Sequence, residues 1–597
     1  MSSFLGYKFC SFTNSSIRSC FPLVTKRLQQ THAALNVIEN KQMSGVVPVF
    51  KRAVKFGDKT ALRDIHGDYT YRGLFLSSRQ FANQLSQMLD GVLQKRIAFM
   101  LPNDASYVIT QWACWMSGQI AVPLSALSPT PVLDYYIKDS DATVIVTTSE
   151  LVPLLEPLAN NTKKHLVVFD DTLRILAMKP SDKMANNKQI SQSDSEDSLE
   201  AGMKDDFYNL SDAMFVYTSG TTGKPKGAVL THKNLQSQVN ALVSAWKWSE
   251  KDIVLHTLPL NHIHGIVNVL LCSLYAGARC VMLPKFETSS VWSQLLGINL
   301  ANTERVNMYM AVPTIYVKLI QEFDQLFSKN SKMTEYIHNV CTTKIRLMVS
   351  GSAPLPKPIF DRWEQITGHR LLERYGMTET GMVLSNPLDG ERIPGTVGTP
   401  LPGVSTRVMK PGVSEDDTEI LVQNIAEKKD VFSKTKGPIS GDLQVKGDSV
   451  FRQYWNKSEA TAAVFTSDGW FKTGDTVEYE NGIYKMLGRS SVDIIKTGGY
   501  KVSALEVETV LLGHPDIIDC AVVGLPDITW GQKIAAIVVA REGSEVILSQ
   551  LRKYAKKSLQ AYAVPTVLKV VDKIPKNSMG KVNKPDLLTA IFPDSKF

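Results

Sequence analysis

Apolar and polar residues alternate along the first part of the chain in a way that predicts an α/β domain. Between about residues 45 and 170, short apolar runs are separated by helical patterns. Ala98-Phe99-Met100-Leu101 and Ala142-Thr143-Val144-Ile145-Val146 are typical of buried strands. The regular alternation of such strands with helices favours mixed sheets covered by helices.

The pattern restarts after Arg489 as a smaller unit. Apolar runs at Ala521-Val522-Val523 and from Ile534 to Val539 predict strands, and a basic amphipathic pattern near Leu551 to Leu559 predicts a helix. We expect a compact βαββαβ-like unit here. The chain is therefore predicted to have a large N-terminal α/β domain and a small α+β C-terminal domain.

Two polar stretches interrupt these patterns. Lys179 to Asp206 contains the run Ser191-Gln192-Ser193-Asp194-Ser195-Glu196-Asp197-Ser198, and a second polar stretch extends from Gly412 to Gly437. Such composition cannot bury enough apolar surface to pack. We expect surface loops inserted between core elements.

Composition and charge narrow the class of protein. The chain has 597 residues, of which 44% are hydrophobic and 21% charged, so more than one domain is expected. The net charge is +8, but Lys8, Arg18, Lys26 and Arg27 supply half of that excess before the first acidic residue, Glu39. No Lys/Arg cluster or aromatic stacking platform accompanies the remainder, so no nucleic-acid partner is expected.

The first 38 residues have the composition of a mitochondrial transit peptide. They are rich in serine, lack acidic residues and carry scattered Phe and Leu. A disordered tail is the alternative. The C-terminus, Ser595-Lys596-Phe597, differs by one residue from the peroxisomal S-K-L signal. The mitochondrial matrix is the predicted location, and the cytosol and the peroxisome are the alternatives.

Cysteine usage and hydropathy exclude two further classes. The seven cysteines form no C-x-x-C pair, so neither a disulfide scaffold nor a cysteine-based zinc site is expected, and a reducing compartment fits best. A membrane span needs roughly 20 apolar residues. The best run, Gly265 to Leu283, is interrupted by Asn268 and Arg279, so no stable membrane insertion is expected.

The segment richest in candidate chemistry lies between two predicted strands, Phe215-Val216-Tyr217 and Ala228-Val229-Leu230. Glycines let the backbone approach a ligand, and the hydroxyl groups add donors suited to phosphate oxygens. A Walker A loop is excluded because Pro225 stands where Ser or Thr is required. The candidate phosphate-binding residues are Thr218, Ser219, Gly220, Thr221, Thr222, Gly223 and Lys224.

This loop resembles the signature of the adenylate-forming superfamily of acyl-CoA synthetases, adenylation domains and luciferases. Further motifs of that superfamily follow in order: Tyr375-Gly376-Met377-Thr378-Glu379, Thr473-Gly474-Asp475, Gly488-Arg489 and Pro575-Lys576-Asn577-Ser578-Met579-Gly580-Lys581. The resemblance covers residues from about 45 to the end. It implies an adenylate-forming N-terminal domain over residues 39–488, after the leader 1–38, and a mobile C-terminal domain over residues 489–597.

The resemblance also implies a reaction and its residues. A carboxylate and ATP would give an acyl-adenylate and pyrophosphate, and the thiol of coenzyme A would then attack the acyl carbon. Lys581 would bridge the carboxylate and the α-phosphate, and Glu379 would bind Mg²⁺. Thr378 and Arg489 would contact the nucleotide, and Asp475 would accept hydrogen bonds from the ribose hydroxyls.

The pair His262 and His264 has a spacing that also occurs in metal sites. Residues two apart lie on one face of a strand, but no third ligand completes a metal set. The resemblance instead places His262 beside the carboxylate being activated, where it would bind the acid or gate entry of coenzyme A. A structural core histidine is the alternative.

The motifs are most similar to those of the malonyl-CoA synthetases. The matching runs are Pro259 to Gly265, Ser350 to Leu355, Glu373 to Met382 and Ser385 to Gly403. The resemblance implies an AMP-forming ligase of malonate and methylmalonate, with Ser350 and Gly351 beside the acid. A medium- or short-chain fatty acyl-CoA synthetase, and a nucleotide-binding regulatory protein without catalysis, are the alternatives.

A dicarboxylate requires a fixed cation for its second carboxylate, because burying that charge alone costs several kcal/mol. Arginine offers a planar, permanently charged fork. Arg346 is our candidate, and a strand-end surface arginine is the alternative reading. The sequence departs from the superfamily at Ser490-Ser491, where many relatives carry Asp or Lys, so the hinge residue stays open. The oligomeric state cannot be predicted.

Overall fold

The computed structural model describes residues 45–180, 201–218, 224–298, 300–410, 419–426, 428, 431–434, 437–576 and 581–593. The predicted leader 1–38, the centre of the polar stretch 179–206, and parts of the stretch 412–437 lie outside these residues. So do Ser219 to Gly223 of the candidate phosphate-binding loop. Residues from Val47 onward form one compact unit, which contains every helix and strand of the described residues.

Two sheets with parallel centres form the body of the N-terminal part; the first has antiparallel strands at both edges and the second at one edge. The first runs, edge to edge, in the order Thr399–Pro400, Gly381–Ser385, Leu372–Met377, Leu347–Ser350, Met308–Ala311, Ile253–His256, Arg279–Met282, Thr60–Asp64 and Gly67–Thr70. The second runs in the order Gln453–Tyr454, Lys226–Thr231, Asp212–Thr218, Ile120–Pro123, Arg96–Met100, Ala142–Thr147 and His165–Val168. Both strand runs predicted before residue 170 are therefore confirmed.

A third, antiparallel sheet leads toward the C-terminal unit. Its strands are ordered Phe432–Ser433, Glu419–Asn424, Ser405–Lys410, Ile439–Lys446, Phe471–Glu480 and Ile483–Arg489. The last strand ends at Arg489, where the sequence pattern predicted the domain boundary.

Helices cover the first two sheets and bury their apolar faces. The α-helices are Val49–Ala53, Tyr71–Met88, Ala105–Met116, Thr130–Asp139, Val152–Thr162, Asp171–Ala177, Asp205–Leu210, His232–Ala245, Cys272–Ala276, Thr288–Leu296, Pro313–Leu326, Ser331–Lys344, Lys357–Thr367 and Ser458–Val464. A π-helix, His264–Leu271, precedes Cys272–Ala276, and single 3₁₀ turns occur at Val54–Phe56, Ser149–Leu151 and Asn302–Glu304.

Side-chain caps fix where several of these helices begin. The Thr231 side chain accepts from the backbone of Asn234, whose own side chain accepts from the backbone of Thr231, so His232–Ala245 starts with a capping box. Asp104 caps Ala105–Met116, a helix buried on every side. Within the described ranges, none of the helices combines the length and hydrophobicity needed to cross a bilayer.

The C-terminal unit is a separate small sheet with helices on both faces. Its strands are Tyr500–Ser503, Ile494–Thr497, Gly531–Ala540, Ile517–Asp527 and Val567–Val570, and its helices are Ala504–Leu511, Leu548–Ala555, a 3₁₀ turn Ala561–Ala563, and Lys584–Ile591. The predicted strands and helix are confirmed, but the unit has two elements that the βαββαβ pattern did not include, an additional first strand, Ile494–Thr497, and a last helix, Lys584–Ile591.

Strand alternation explains why this small sheet needs helices on both faces. Val522 packs into one apolar cluster, whereas its neighbours Ala521 and Val523 pack into another. Adjacent side chains of a strand point to opposite faces, so both faces of the sheet are apolar and both must be covered. Helix Lys584–Ile591 covers the second face through Leu587.

Candidate active site

A cavity of about 2470 Å³ lies where the C-terminal unit meets the N-terminal part. It is larger than the ~300–1,000 Å³ of an ordinary ligand pocket, so there is room for more than one substrate. Arg374, Tyr375 and Asp475 line it from the N-terminal part, and Lys581 lines it from the C-terminal unit. The motif residues that are hundreds of positions apart in the sequence therefore meet in one place.

The candidate phosphate-binding loop joins two antiparallel strands, as predicted. Thr218 pairs with Lys226 across the pair, so the loop between them begins and ends at the same edge. The hydroxyl of Thr218 lies 3.5 Å from Oε1 of Glu379. Lys224 is exposed, and its Nζ lies 5.6 Å from the ring centroid of Tyr135. Phosphate binding by the loop itself stays a prediction.

Glu379 is held at the end of this loop by two hydroxyl groups. Its carboxylate is buried, and the Tyr454 hydroxyl donates to its Oε1 at 2.8 Å. Thr378, beside it, is half-buried. Among the described residues, no group of three or more His, Cys, Asp or Glu side chains could hold a metal. Mg²⁺ commonly binds through one or two carboxylates together with substrate phosphates, so Glu379 fits that mode.

Asp475 and Arg489 form an ion pair because they face each other across two antiparallel strands. Arg489 Nε lies 3.0 Å from Asp475 Oδ1, and the Tyr375 hydroxyl donates to Oδ2. Burial raises the pKa of Asp475, and Arg489 and Tyr375 oppose that rise. Burial acts to lower the pKa of Arg489, but Asp475 keeps it above its ordinary value. A hydrogen-bonded carboxylate of this kind can accept from ribose hydroxyls.

Lys581, from the C-terminal unit, lines the same cavity as Asp475 and Arg489. The residue is exposed to the cavity, yet dense protein surrounds it, and this burial lowers its pKa. The positive charges of Arg489 and Arg374 add to the lowering, whereas Asp475 and Glu379 oppose it. The Lys581 ammonium therefore interacts electrostatically with four charged side chains, those of Arg374, Glu379, Asp475 and Arg489.

Arg374 is a further charged residue of the cavity that the sequence motifs did not single out. It is buried, it lines the cavity, and its Nε and Nη2 have no hydrogen-bond partner in the described part of the chain. Burial lowers its pKa to about 9, so the guanidinium remains charged at neutral pH. It lies within the run Glu373 to Met382, in which the motif residues are Tyr375 to Glu379 and no pattern marks the arginine.

Arg346, our candidate for binding the second carboxylate of the acid, is not among the residues that line the cavity. Its Nε and Nη2 bind the two carboxylate oxygens of Asp252 at 2.6 and 2.8 Å, and its Nη1 donates to the Trp246 carbonyl at 3.0 Å. It precedes strand Leu347–Ser350, whereas the cavity lies beyond the other end of that strand, at Ser350. The structure does not support a substrate role for Arg346; its guanidinium is already occupied.

The two histidines do not lie on a strand. His262 is in a half-buried turn, and His264 begins the π-helix. Burial and then the charge of Lys581 lower the pKa of His262 to about 4, so the ring is neutral and close to Lys581. His264 Nδ1 lies 3.2 Å from the Ser352 hydroxyl. The two rings therefore have different surroundings, and the role of His262 beside the acid stays a prediction.

Ser350 and Gly351 lie at the carboxyl end of a central parallel strand. Ser350 is buried, lines the cavity, and its hydroxyl has no partner among the described residues. Gly351 packs closely against Arg374, and only a glycine fits there, since a Cβ on Gly351 would lie 2.5 Å from Arg374 Cζ. Gly351 is therefore close to Nε of Arg374, and Ser350 pairs with Glu373, the residue before Arg374.

The large N-terminal domain is built on parallel strands, and it shares one cavity with the small C-terminal unit, which carries Lys581. This arrangement defines a two-lobed nucleotide-dependent enzyme. The AMP-binding enzyme family model matches residues 49–455, and the AMP-binding enzyme C-terminal domain matches residues 506–581. The chain belongs to the AMP-binding enzyme family.

Known relatives cover nearly the whole chain. The mitochondrial malonate–CoA ligase of Xenopus laevis is 44% identical over 99% of this chain and 99% of its own length. That of Homo sapiens is 45% identical over 92% of each chain. The crystal structure of ATP-bound MatB from Rhodopseudomonas palustris has a TM-score of 0.74 at 28% identity, covering 91% of this chain and 99% of that one. A malonyl-CoA ligase complex with methylmalonyl-CoA and AMP has a TM-score of 0.56 at 30% identity, covering 87% and 97%.

Proposed function

We propose that this protein is an ATP-dependent malonate–CoA ligase that also accepts methylmalonate. It would form malonyl-CoA through a malonyl-adenylate and release pyrophosphate and then AMP. The malonate–CoA ligases among its relatives support this substrate. The structural observation that carries the proposal is the buried Arg374, which lines the cavity and whose Nε and Nη2 have no hydrogen-bond partner among the described residues.

A second carboxylate is the group that Arg374 suits best. A buried guanidinium with open nitrogens is itself costly to desolvate, and a bidentate carboxylate would satisfy both the charge and the hydrogen bonds. A fatty acyl chain would leave Arg374 unpaired beside hydrocarbon. The fatty acyl-CoA synthetase alternative is therefore disfavoured by this wall of the cavity.

The first half-reaction needs charge neutralisation, since an anionic carboxylate must approach an anionic phosphate. An oxygen of malonate would attack the α-phosphorus while the bond to the bridging oxygen of pyrophosphate breaks. Lys581 would sit between the two anions and stabilise the charge that develops there. Asp475 and Arg489 would hold the ribose in place. Mg²⁺, held by Glu379 and phosphate oxygens, would neutralise the departing pyrophosphate.

The second half-reaction would require Lys581 to withdraw so that coenzyme A can reach the adenylate. The thiol sulfur would attack the acyl carbon, and AMP would leave. Two relatives of nearly equal identity support such a movement: the TM-score is 0.74 with the ATP-bound relative but 0.56 with the product-bound one. This difference is expected if the C-terminal unit takes a second orientation.

The hinge for this movement would lie at Ser490. Its hydroxyl donates to Asp442 Oδ1 at 2.9 Å and lies 2.7 Å from the Thr476 hydroxyl, while its backbone N–H donates to the Gly474 carbonyl at 3.0 Å. These bonds to the third sheet would hold the ATP-bound orientation. A small side chain there can absorb the backbone change of rotation.

Coenzyme A would approach past the hairpin turn Gly498-Gly499. Both glycines have positive φ, 55° and 85°, which suits a tight turn without side chains. Lys501 on the following strand lines the cavity and is exposed, so it is available to a phosphate group. Lys496 is exposed as well but is absent from the cavity wall.

The proposed location is the mitochondrial matrix. The relatives of Xenopus laevis, Bos taurus, Mus musculus and Homo sapiens are named mitochondrial. The acid-free, serine-rich first 38 residues agree with an import signal. Cell fractionation of the tagged full chain, with the first 38 residues present or deleted, tests the proposal.

A panel of acids tests the substrate. Purified protein is assayed for CoA-thioester formation with malonate, methylmalonate, acetate and octanoate, and malonate should be used best. Arg374→Gln should lower kcat/KM for malonate by at least about a hundredfold, the scale of one lost charge-stabilising contact, and should spare acetate. The exposed Arg370→Gln is the matched control. Pyrophosphate release with octanoate but not malonate would refute the assignment.

A further inference from the structure

A buried ion cluster in the C-terminal unit is formed by Lys584, Asp493 and Glu508. Lys584 Nζ is 2.5 Å from Asp493 Oδ1 and 2.7 Å from Glu508 Oε1. All three side chains are largely buried, with exposed fractions of 9%, 14% and 15% respectively. All three residues also line the cavity, although none of them has been given a substrate contact above.

Asp493 connects this cluster to the nucleotide site. Its Oδ2 accepts from the backbone N–H of Arg489 at 3.0 Å, and its own N–H donates to the Arg489 carbonyl at 2.8 Å. Arg489 in turn pairs with Asp475. The turn that follows Arg489 is therefore fixed on its C-terminal side by a carboxylate that also binds Lys584.

Glu508 connects the cluster to the core of the C-terminal unit. It lies on helix Ala504–Leu511, and its Oε1 also accepts from the backbone N–H of Val522 at 2.8 Å. Burial acts to lower the pKa of Lys584, but Glu508 and Asp493 keep it raised, so its ammonium stays charged. Lys584 is thus linked through Glu508 to the edge strand Ile517–Asp527 and through Asp493 to the turn that follows Arg489.

Lys584 is only three positions after Lys581. It begins helix Lys584–Ile591, where Pro585 stiffens the first turn. Val582, between the two lysines, packs against the apolar cluster of Ala521 and Val523. The short segment that carries Lys581 therefore has one apolar and one ionic attachment to its own domain.

Stability alone explains such a cluster poorly. A buried ion pair often contributes no more than an apolar replacement would, because desolvation offsets the Coulomb attraction. Here two carboxylates share one lysine, so one negative charge remains uncompensated within the cluster. A function in fixing geometry accounts for the arrangement better.

We propose that Lys584 is a positioning residue for adenylation. By binding both Asp493 and Glu508, it fixes the segment that carries Lys581, so that the Lys581 ammonium is correctly placed relative to Asp475 and Arg489. The proposal rests on the function proposed above. Asp493, Glu508 and Lys584 all follow the proposed hinge, so they would rotate together. Loss of the ion pairs between Lys584 and the two carboxylates should therefore impair adenylation, in which Lys581 acts. It should spare the attack of coenzyme A.

Half-reaction kinetics test the proposal on the full chain. Adenylation is followed by malonate-dependent exchange of labelled pyrophosphate into ATP. The thioester step is followed by rapid quench after coenzyme A is mixed with enzyme on which the adenylate has already accumulated. Lys584→Met should slow exchange by at least about tenfold, since misplacement by ~1 Å can cost up to ~100-fold. The thioester step should change less than about threefold.

Three further variants separate positioning from folding. Lys584→Arg should restore exchange to within about threefold, because its guanidinium can reach both carboxylates. Glu508→Gln keeps the acceptor for Val522 but removes one charge, and it should slow exchange while sparing the thioester step. Lys533→Met removes an exposed ion pair of the same domain with Asp527 and should leave both half-reactions unchanged.

The outcomes distinguish this proposal from the function on which it rests. Absence of malonate-dependent exchange in the wild type would refute the malonate assignment. Normal exchange in folded Lys584→Met would overturn the positioning role, and so would an equal fall in both half-reactions. If Lys584→Met does not fold, Glu508→Gln decides by the same criterion.

Discussion

The guanidinium of Arg374 lies so close to Gly351 that a Cβ built on the glycine would come within 2.5 Å of Arg374 Cζ. Gly351 directly follows strand Leu347–Ser350, and Arg374 lies on the neighbouring parallel strand, in which Glu373 pairs with Ser350. The glycine is required here for space. It leaves room for a buried arginine to extend toward the cavity.

Replacement of Gly351 by alanine should therefore displace Arg374 and weaken malonate binding. Contacts below 3.0 Å are essentially never seen for a real Cβ, so the guanidinium must move. We expect KM for malonate to rise by about tenfold or more, because bidentate contacts depend on geometry. KM for ATP should change much less. Steady-state kinetics with each substrate varied in turn provide the measurement.

Gly437→Ala is the matched control, since a Cβ there meets nothing within 4 Å. It should leave both KM values unchanged. Equal KM values for malonate in wild type and Gly351→Ala would show that Arg374 does not need its present position.

Replacement of Lys581 by alanine should lower the rate of adenylation by about a hundred- to a thousandfold. The expected loss is that of one preorganised charge-stabilising group. Pyrophosphate exchange measures it directly. Near-normal exchange would remove Lys581 from the mechanism, whatever its position in the cavity.

The lowered pKa of Lys581 also predicts the pH dependence of adenylation. Burial favours the neutral amine, so the ammonium is lost at a lower pH than the ordinary value of 10.5. Since the charged form is required, the exchange rate should fall as pH rises toward that value. An arginine at 581 stays protonated throughout, so the alkaline fall should disappear in Lys581→Arg, although its rate is lower. An identical alkaline fall in both proteins would assign the titration to another group.

The sequence pointed to neighbouring residues where several of them share short motifs. Asp475, Arg489 and Lys581 line one cavity, and the charge of Glu379 also acts on Lys581, while the roles of these residues stay predictions. The sequence failed where the fold decides which end of a strand carries the site. In parallel sheets, ligands bind beyond the carboxyl ends of the strands. Arg346 stands at the amino end of its strand, whereas Arg374 extends from the strand beside it near the cavity.

The histidine pair shows a second limit of sequence patterns. Spacing of two residues has a meaning only within a strand. Here the chain turns at His262 and continues as a π-helix from His264, a rare element with no clear sequence signal. The pattern alone could not predict that the two rings have different surroundings.

Replacement of Arg346 by methionine should reduce stability and spare catalysis. Asp252, whose side chain is 2% exposed, would lose both contacts to the guanidinium but keep bonds from Ser249 and Asn307. We expect the free energy of unfolding to fall by about 2–3 kcal/mol, the scale of lost charged hydrogen bonds. Urea denaturation gives this value. At temperatures where the variant is folded, kcat/KM for malonate should stay within about twofold.

The opposite result would revive the original expectation. If Arg346→Met raised KM for malonate and left stability unchanged, Arg346 would have to reach the acid in another conformation. Asp252→Asn, which weakens the same pair from the other side, should destabilise the protein in parallel. The double variant should lose less than the sum of the two single losses, because both remove one interaction.

Buried histidines should make the protein sensitive to acid. His232 packs edge-on against Trp115 and Tyr208, with ring centroids at 5.6 and 4.9 Å, and burial lowers its pKa to about 3. In the unfolded chain it would titrate near 6.5. Between these two values the unfolded state binds one more proton than the folded state. Stability is therefore fully present above pH 6.5 and is lost as pH falls toward 3, by up to about 1.4 kcal/mol per pH unit.

His232→Phe keeps an aromatic ring in this position but cannot bind the proton. Urea titrations of wild type and variant between pH 7 and 4.5 should give a slope of unfolding free energy against pH that is smaller in the variant by up to one proton. Other acidic groups contribute equally to both slopes, so the difference isolates His232 even if the variant is less stable at every pH. Parallel slopes would mean that His232 is protonated in the folded protein, and its surroundings would then have to supply a partner for that charge.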